Sequence, residues 1–251
     1  MIKISLVIIT FNEEKNIERC IDSAMSLVDE IIVVDSFSTD KTKEICLNKN
    51  VKFIENEFKG HIEQKNFAIS QASNEYILSL DADEALSDEL KKKILFLKSN
   101  WHSDAYEINR LTNYCGKWIK HTDWYPDRKI RLFDRRKAYW GGINPHDFIL
   151  TEPDAKTMRL KGDILHYSYN SIQQHISQFN YFTDINAREA LQKGKKSGLF
   201  QIIFRPIWKF IQSYFIRLGF LDGYYGFLVC AISAFATFAK YIKLKELYKQ
   251  K

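Results

Sequence analysis

Asp81 and Asp83, with Glu84 directly after, close a short apolar run, Tyr76-Ile77-Leu78-Ser79-Leu80. Two carboxylates at spacing i, i+2 repel one another. A divalent cation beside them relieves the repulsion, and Mg²⁺ or Mn²⁺ bridged to phosphates suits such oxygen ligands. The chemistry this implies is the handling of a phosphate-bearing substrate at the end of a strand. The same residues also read as caps and dipole-compensating acids before a helix. The rest of the chain has to decide between the two.

The elements that would position these acids are legible upstream. Ile4 to Ile9 is an apolar strand that ends at Thr10-Phe11-Asn12-Glu13-Glu14, and Ile17, Cys20, Ile21 and Ala24 follow at helical spacing. Ile31-Ile32-Val33-Val34 is a second buried strand closing on Asp35, with a turn from Ser36 to Thr42 that starts a helix. Val51 to Ile54 is a weaker third strand, Gly60 to Ser73 a loop and helix carrying Gln64, Lys65 and Asn66, and the run to Leu80 a fourth strand. Continuous apolar runs suit parallel strands buried on both faces. The β-α-β-α-β-α-β rhythm predicts a mostly parallel, Rossmann-like α/β sheet. Right-handed crossovers then bring Thr10, Asp35 and Asp81 to one edge, beyond the carboxyl ends of the strands, where such sheets bind ligands.

With 251 residues, 45% of them hydrophobic and 27% charged, the chain has ample material for a globular core. Its four cysteines (Cys20, Cys46, Cys115, Cys230) form no Cys-x-x-Cys pair, which argues against a disulfide scaffold or thiolate zinc site and fits a reducing compartment. The opening residues read as the first strand rather than a signal peptide.

Residues 101 to 170 are rich in Trp, Tyr and His, with Ala105 to Arg110 and Lys129 to Phe133 alternating like half-exposed strands. Aromatic faces beside acids and amides suit a sugar, although an ordinary aromatic core has the same composition. Beyond a polar helical stretch, 171 to 193, the charge changes character. The formal net charge is +6, but Arg188 to Lys251 alone carries 12 basic against 3 acidic residues. Leu199 to Arg217 is apolar with a basic stripe through Arg205, Lys209 and Arg217, and the uncharged stretch Gly223 to Ala239 is 17 residues long. A membrane span needs about 20. Basic, aromatic-flanked helices lying on an anionic membrane surface fit better; a helical hairpin packed on the catalytic domain, or a dimer interface, is the plainer alternative.

Taken together, Leu6 to Glu14, Ile31 to Thr42, Gln64-Lys65-Asn66-Phe67-Ala68 and Leu78 to Glu84 resemble the nucleotide-sugar half of a family 2 glycosyltransferase with the GT-A fold. Arg131-Leu132-Phe133, Trp140-Gly141-Gly142, Pro145-His146-Asp147, Leu165-His166-Tyr167 and the apolar tail look like the subgroup of lipopolysaccharide core glucosyltransferases. The resemblance implies three regions: a nucleotide-sugar half (1–100), an acceptor and catalytic half (101–193) and a membrane-associating tail (194–251). Thr10, Phe11, Asn12 and Glu13 would wall the uracil and ribose of a UDP-sugar. Asp35 would hydrogen-bond the base, Lys65 close over it, and Asp81 take the ribose and metal side. Asp83 would ligate the divalent cation, with His166 as a further ligand. Two departures stand out. The subgroup usually has Glu where this chain has Asp147, and the family often has Gly where this chain has Phe37.

The expected reaction is inverting transfer of a sugar to a lipid-linked saccharide at the cytoplasmic face of the cell membrane, to which the enzyme attaches peripherally. One displacement needs a cation to neutralise the leaving diphosphate and a carboxylate, Asp147, to take the proton of the acceptor hydroxyl. Asp123 and Asp127 are alternative bases, and a salt bridge to the Arg128–Arg136 cluster is the plainer role for Asp147. A nucleotidyltransferase would want a glycine-rich basic loop where Thr10 to Glu14 stands. A non-catalytic membrane-attached nucleotide-sugar binder would lose the metal or the base. Nucleic acid is not expected as a partner, because the tail's charges flank apolar helices rather than line an open groove.

Overall fold

A computed structural model describes residues 1–144 and 146–250. Pro145, of the Pro145-His146-Asp147 motif, and Lys251 lie outside the described residues. The chain folds as two compact units, residues 1–110 with 127–167, and residues 111–126 with 168–251.

The first unit opens with β1 (Ile4–Thr10), α1 (Ile17–Ala24), β2 (Glu30–Asp35), α2 (Thr42–Asn48), β3 (Lys52–Glu55), α3 (His61–Ser70) and β4 (Tyr76–Asp81). β1 pairs in parallel with β2 and with β4, and β2 with β3. The apolar runs form the core expected of them: Ile4, Leu6, Ile8, Val33, Leu78 and Leu80 are all buried, packed with Ile17, Cys20 and Ile21 of α1. The other face carries Val7, Ile32, Val34 and Ile77 against Ala68 and Ile69 of α3.

After β4 the pattern turns antiparallel. β5 (Glu84–Leu86) follows at once, then α4 (Asp88–Ser99), β6 (Ala105–Tyr114), β7 (Lys117–Ile119), β8 (Asp127–Asp134), the hairpin β9 (Ala138–Ile143) and β10 (His146–Thr151), and β11 (Thr157–Tyr169). Among the described residues the main sheet runs β3-β2-β1-β4-β8-β6-β11-β5, with β7 paired to β6, and β9 and β10 form a separate ribbon. So Asp83 and Glu84 do not start a helix. The helix begins four residues later, where Ser87 Oγ accepts the Leu90 amide at 3.3 Å. Gly162 lets β11 pass that start: its φ is +99°, and a Cβ there would lie 2.5 Å from the Leu90 nitrogen.

The second unit is helical: α5 (Ile172–Gln192), α6 (Leu199–Ile211) and α7 (Gly223–Lys249), with a wider turn, Gln212–Ile216, after α6. Tyr114, Trp124 and Tyr169 gather around His175, whose Nδ1 is 3.0 Å from the Tyr114 hydroxyl, and Tyr225 packs on Tyr114. α5 packs on α7 through Ala187, Ala190 and Leu244, and Lys243 of α7 reaches Asp184 at 2.9 Å. Gly226 sits so close to the Gly219 carbonyl that a Cβ would lie 2.0 Å from it. α6 buries none of its residues, although Leu199, Phe200, Ile203, Phe204, Ile207 and Trp208 are large and apolar. By length and composition Gly219–Lys249 is able to cross a membrane, with a mean hydropathy of 1.6 in its most apolar window.

Candidate active site

Parallel pairing sets Thr10 opposite Asp35 and Ile9 opposite Asp81, so the three strand ends do share one edge of the sheet. The turns beyond β1 and β2 are laced together. Asn12 N donates to Ser38 Oγ, Thr39 N to Asn12 Oδ1 and Glu13 N to Thr42 Oγ1, each at 2.8 Å. Asp35 is fully buried, and its carboxylate accepts from Ser38 N at 2.7 Å and Ser38 Oγ at 2.5 Å. Its first task is therefore to hold the turn. Phe37 adopts φ +61° within that turn, the conformation a glycine would take, and leaves its ring exposed. Phe11 is exposed on the neighbouring turn. Thr10 is buried, and its hydroxyl has no partner among the described residues. Glu13 accepts from Asn16 Nδ2, and burial pushes its carboxyl above the ordinary range.

Lys65, on α3, is buried and stands between two acids: its Nζ is 2.9 Å from Asp81 Oδ1 and 2.7 Å from Asp147 Oδ2. The indole of Trp140 lies beneath it, 4.0 Å from the ammonium, with the Arg131 guanidinium 5.0 Å from the same ring. Trp140 is itself fixed by Asn66, which donates to its carbonyl and accepts from its amide, and by Ser79, which accepts from Nε1. Arg131 bonds Asp81 at 2.9 Å and the buried Glu84 at 3.1 Å. Glu84 also accepts the Asp81 amide at 3.0 Å. Burial alone would raise the Asp81 carboxyl, but Lys65 and then Arg131 outweigh it and hold Asp81 well below the usual carboxylate range. Charges from Glu84 and Asp81 likewise keep Arg131 firmly protonated against the cost of its burial.

Asp83 is placed differently. The antiparallel pairing of β5 with β11 sets His166 opposite Glu84, and Tyr167 N donates to the Asp83 carbonyl at 2.9 Å. His166 Nε2 thus comes 3.1 Å from Asp83 Oδ2. His166 Nδ1 is buried with no partner among the described residues. In the tautomer that carries its proton on Nδ1, Nε2 and Asp83 Oδ2 present two acceptor atoms to one point. No three His, Cys, Asp or Glu side chains gather as a metal cluster among the described residues. A two-donor site is nonetheless what a Mg²⁺-type ion uses when substrate phosphates and water complete its shell. Asp83 and His166 fit that role; Asp81, committed to two cations, fits it less well.

The remaining candidates sort by their partners. Asp127 is paired with Arg110 at 2.7 Å and Lys129 at 3.3 Å. Asp123 belongs to the second unit, where Lys209 and Ser213 hold it. Asp147 makes its ion pair with Lys65, and of the Arg128–Arg136 cluster Arg131, buried at Asp81, also feels its charge, while Arg135 donates to the Ile69 and Ala72 carbonyls and Arg136 pairs with Asp134 and Glu75. Sequence reasoning missed Glu84 as a buried counter-ion and Trp140 as the floor of the site, and had Arg131 only as one of the Arg128–Arg136 cluster. The only local signal was their lying inside the Asp-Ala-Asp-Glu, Arg-Leu-Phe and Trp-Gly-Gly motifs. A polar cavity of about 390 Å³ opens between Lys65, Asp81, Asp147 and β8.

A sheet whose parallel half ends in such acids, continued by an antiparallel half that returns a His and a second Asp, is the GT-A architecture. The family model for glycosyl transferase family 2 matches residues 5–153, and the chain belongs to that family. A glycosyltransferase of Rickettsia typhi, named only as uncharacterised, is 37% identical over 98% of this chain and 88% of its own length. The lipopolysaccharide core biosynthesis glycosyltransferase LpsC of Rhizobium meliloti is 27% identical over 94% of this chain and 91% of its own. Among solved structures, S. aureus TarS (residues 1–349, in complex with UDP) aligns over 99% of this chain and 91% of its own, with 19% identity and a TM-score of 0.48. The protein is a glycosyltransferase.

Proposed function

We propose that the enzyme moves a sugar from a UDP-sugar to a saccharide carried on a lipid, inverting the anomeric centre, at the cytoplasmic face of the membrane. The observation that carries this reading is the position of Lys65, shared by Asp81 of the donor strand and Asp147 of the second half. Residues 1–100 form the donor side, with Thr10, Phe11, Asn12, Glu13 and Asp35 around base and ribose. Residues 101–193 supply most of the acceptor side. A diphosphate drawn to Lys65 and Arg131 competes with the two carboxylates for those cations. That frees an Asp147 oxygen to accept the proton of an attacking hydroxyl in line with the anomeric carbon. Asp83 and His166 would hold a divalent cation, Mg²⁺ or Mn²⁺, which when bound neutralises the charge growing on the leaving diphosphate. The protein's own part is to bind, orient and exclude water from this pair of substrates.

The name of the Rhizobium relative, together with the tail, supports a lipopolysaccharide-type acceptor. α6 presents a run of exposed apolar side chains with Arg205 and Lys209 among them, as an interfacial helix does. Residues 194–251 then keep the active unit at the surface where the acceptor lies.

The test is transfer from labelled UDP-hexoses to extracted membrane lipids. Product that requires a divalent ion, vanishes in Asp147→Asn and floats with vesicles of phosphatidylglycerol supports the reading. Transfer that survives Asp147→Asn contradicts the assignment of the base, and a Phe204→Glu/Trp208→Glu variant that still partitions to vesicles contradicts the role of the tail.

A further inference from the structure

We propose that the cavity beside Asp147 takes an acceptor saccharide that itself carries an anionic group, a carboxylate or phosphate, seated on Arg110 and Lys129. The inference rests on reading Asp147 as the base, and names the class of molecule whose hydroxyl that base would deprotonate.

The cavity wall is unevenly charged. Its two carboxylates, Asp81 and Asp147, are already answered by Lys65 and Arg131. Arg110 and Lys129 also line it, with His146, while the acids that balance them, Asp127 and Glu84, do not. The wall thus faces its interior with more cations than carboxylates. Of the two, Lys129 is the one set apart from the donor side, since Arg110 also reaches Glu84 at 3.5 Å. Arg110 is registered opposite Asp127 and Ile108 opposite Lys129, and a bulge in β8 falls at Arg131. Arg131 touches Asp81, whereas Lys129, two residues earlier on β8, is paired with Asp127. A group bound at Lys129 would share the cavity with Asp147, the proposed base.

The side chains are built for exchange. The side chains of Arg110 and Lys129 are 23% and 35% exposed, so a ligand can reach them. The Lys129–Asp127 contact, at 3.3 Å and partly exposed, is the kind that contributes little and yields readily to a better anion. Arginine offers a planar fork matched to carboxylate or phosphate. Phe148, half exposed on the same wall, gives the apolar face of a sugar ring something to lie on. A carboxylate base, exchangeable cations and an aromatic face in one cavity describe an acidic or phosphorylated sugar better than a neutral one.

The experiment is a calorimetric titration of the full chain, saturated with UDP and Mn²⁺, with glucuronate, glucose 6-phosphate and glucose. The anionic sugars are expected to bind about tenfold more tightly than glucose, as one charge-assisted contact implies. That preference should collapse in Lys129→Gln and Arg110→Gln with the affinity for UDP unchanged. Lys129 is at the surface and carries the test if Arg110→Gln does not fold. No preference in the wild type, or a preference that survives both changes, overturns the proposal. A loss of UDP affinity in the variants without loss of the preference assigns the two cations to the donor diphosphate and also overturns it. Failure of UDP to bind the wild type at all would remove the site reading on which the proposal rests, a result distinct from UDP binding with no anion preference.

Discussion

Lys65 Nζ lies 2.7 Å from Asp147 Oδ2, joining two residues 82 positions apart in the chain. The same ammonium reaches Asp81 at 2.9 Å, so one cation connects the donor acid to the proposed base. The two residues should fail differently. Asp147→Asn keeps the shape and loses the proton acceptor. Its kcat should fall about 10²- to 10⁴-fold while UDP affinity stays within a factor of about three. Lys65→Met should lower both kcat and UDP affinity. Steady-state kinetics beside calorimetry separates the two, and equal loss of UDP affinity in both would contradict the division of roles.

Glu84 is buried beneath this pair and balances Arg131 at 3.1 Å and Arg110 at 3.5 Å. Removing one member of a buried ion network leaves the others uncompensated. Glu84→Gln should destabilise the protein by about 3–5 kcal/mol in urea unfolding. A change under about 1 kcal/mol would mean that Glu84 is not the counter-ion it looks to be.

The second unit should be acid-sensitive. Burial lowers the His175 imidazole to about 4, whereas an unfolded histidine titrates near 6.5. Between those values the unfolded chain takes up a proton that the folded chain refuses. Stability therefore falls as pH drops from about 6.5 towards 4, by about 3 kcal/mol in all, and levels off below. Urea midpoints at pH 7 and pH 5 should differ less in His175→Gln than in the wild type. An identical pH dependence in the two proteins would rule His175 out as the cause.

Phe37 holds a left-handed conformation, φ +61°, with its ring exposed. A bulky residue there costs about 1–2 kcal/mol in backbone strain, against about 0.5–1 for the extra chain freedom of glycine. Phe37→Gly should stabilise the protein by about 1 kcal/mol, read as a rise of about 2–4 °C in Tm. A fall in Tm would show that the ring makes a contact worth more than the strain.

The parallel half of the sheet is legible because its signals are local. Ile4 to Thr10, Ile31 to Asp35 and Tyr76 to Asp81 are uncharged, largely apolar runs, each closing on a polar residue, and parallel pairing then puts those residues on one edge. The antiparallel half is not legible in the same way. β5 is three residues long and begins at an acid that equally suits a helix start. β11 is interrupted by Lys161, Gly162 and Asp163, and its partner strands lie far off in the sequence. The pairings that make the site, Lys65 with Asp147 and Arg131 with Glu84, span 82 and 47 residues. No local pattern encodes such distances. A motif names the residues, but only the fold shows that Asp81 is spent on cations while Asp83 faces His166.

That last distinction is open to one direct measurement: UDP titrated calorimetrically into the wild type, Asp83→Asn and Asp81→Asn, each with and without Mn²⁺. If Asp83 and His166 hold the cation, Mn²⁺ tightens UDP binding in the wild type and has no effect in Asp83→Asn, while Asp81→Asn weakens UDP yet keeps the response to Mn²⁺. A manganese response that survives in Asp83→Asn, or UDP binding that ignores the metal in the wild type, would contradict the account.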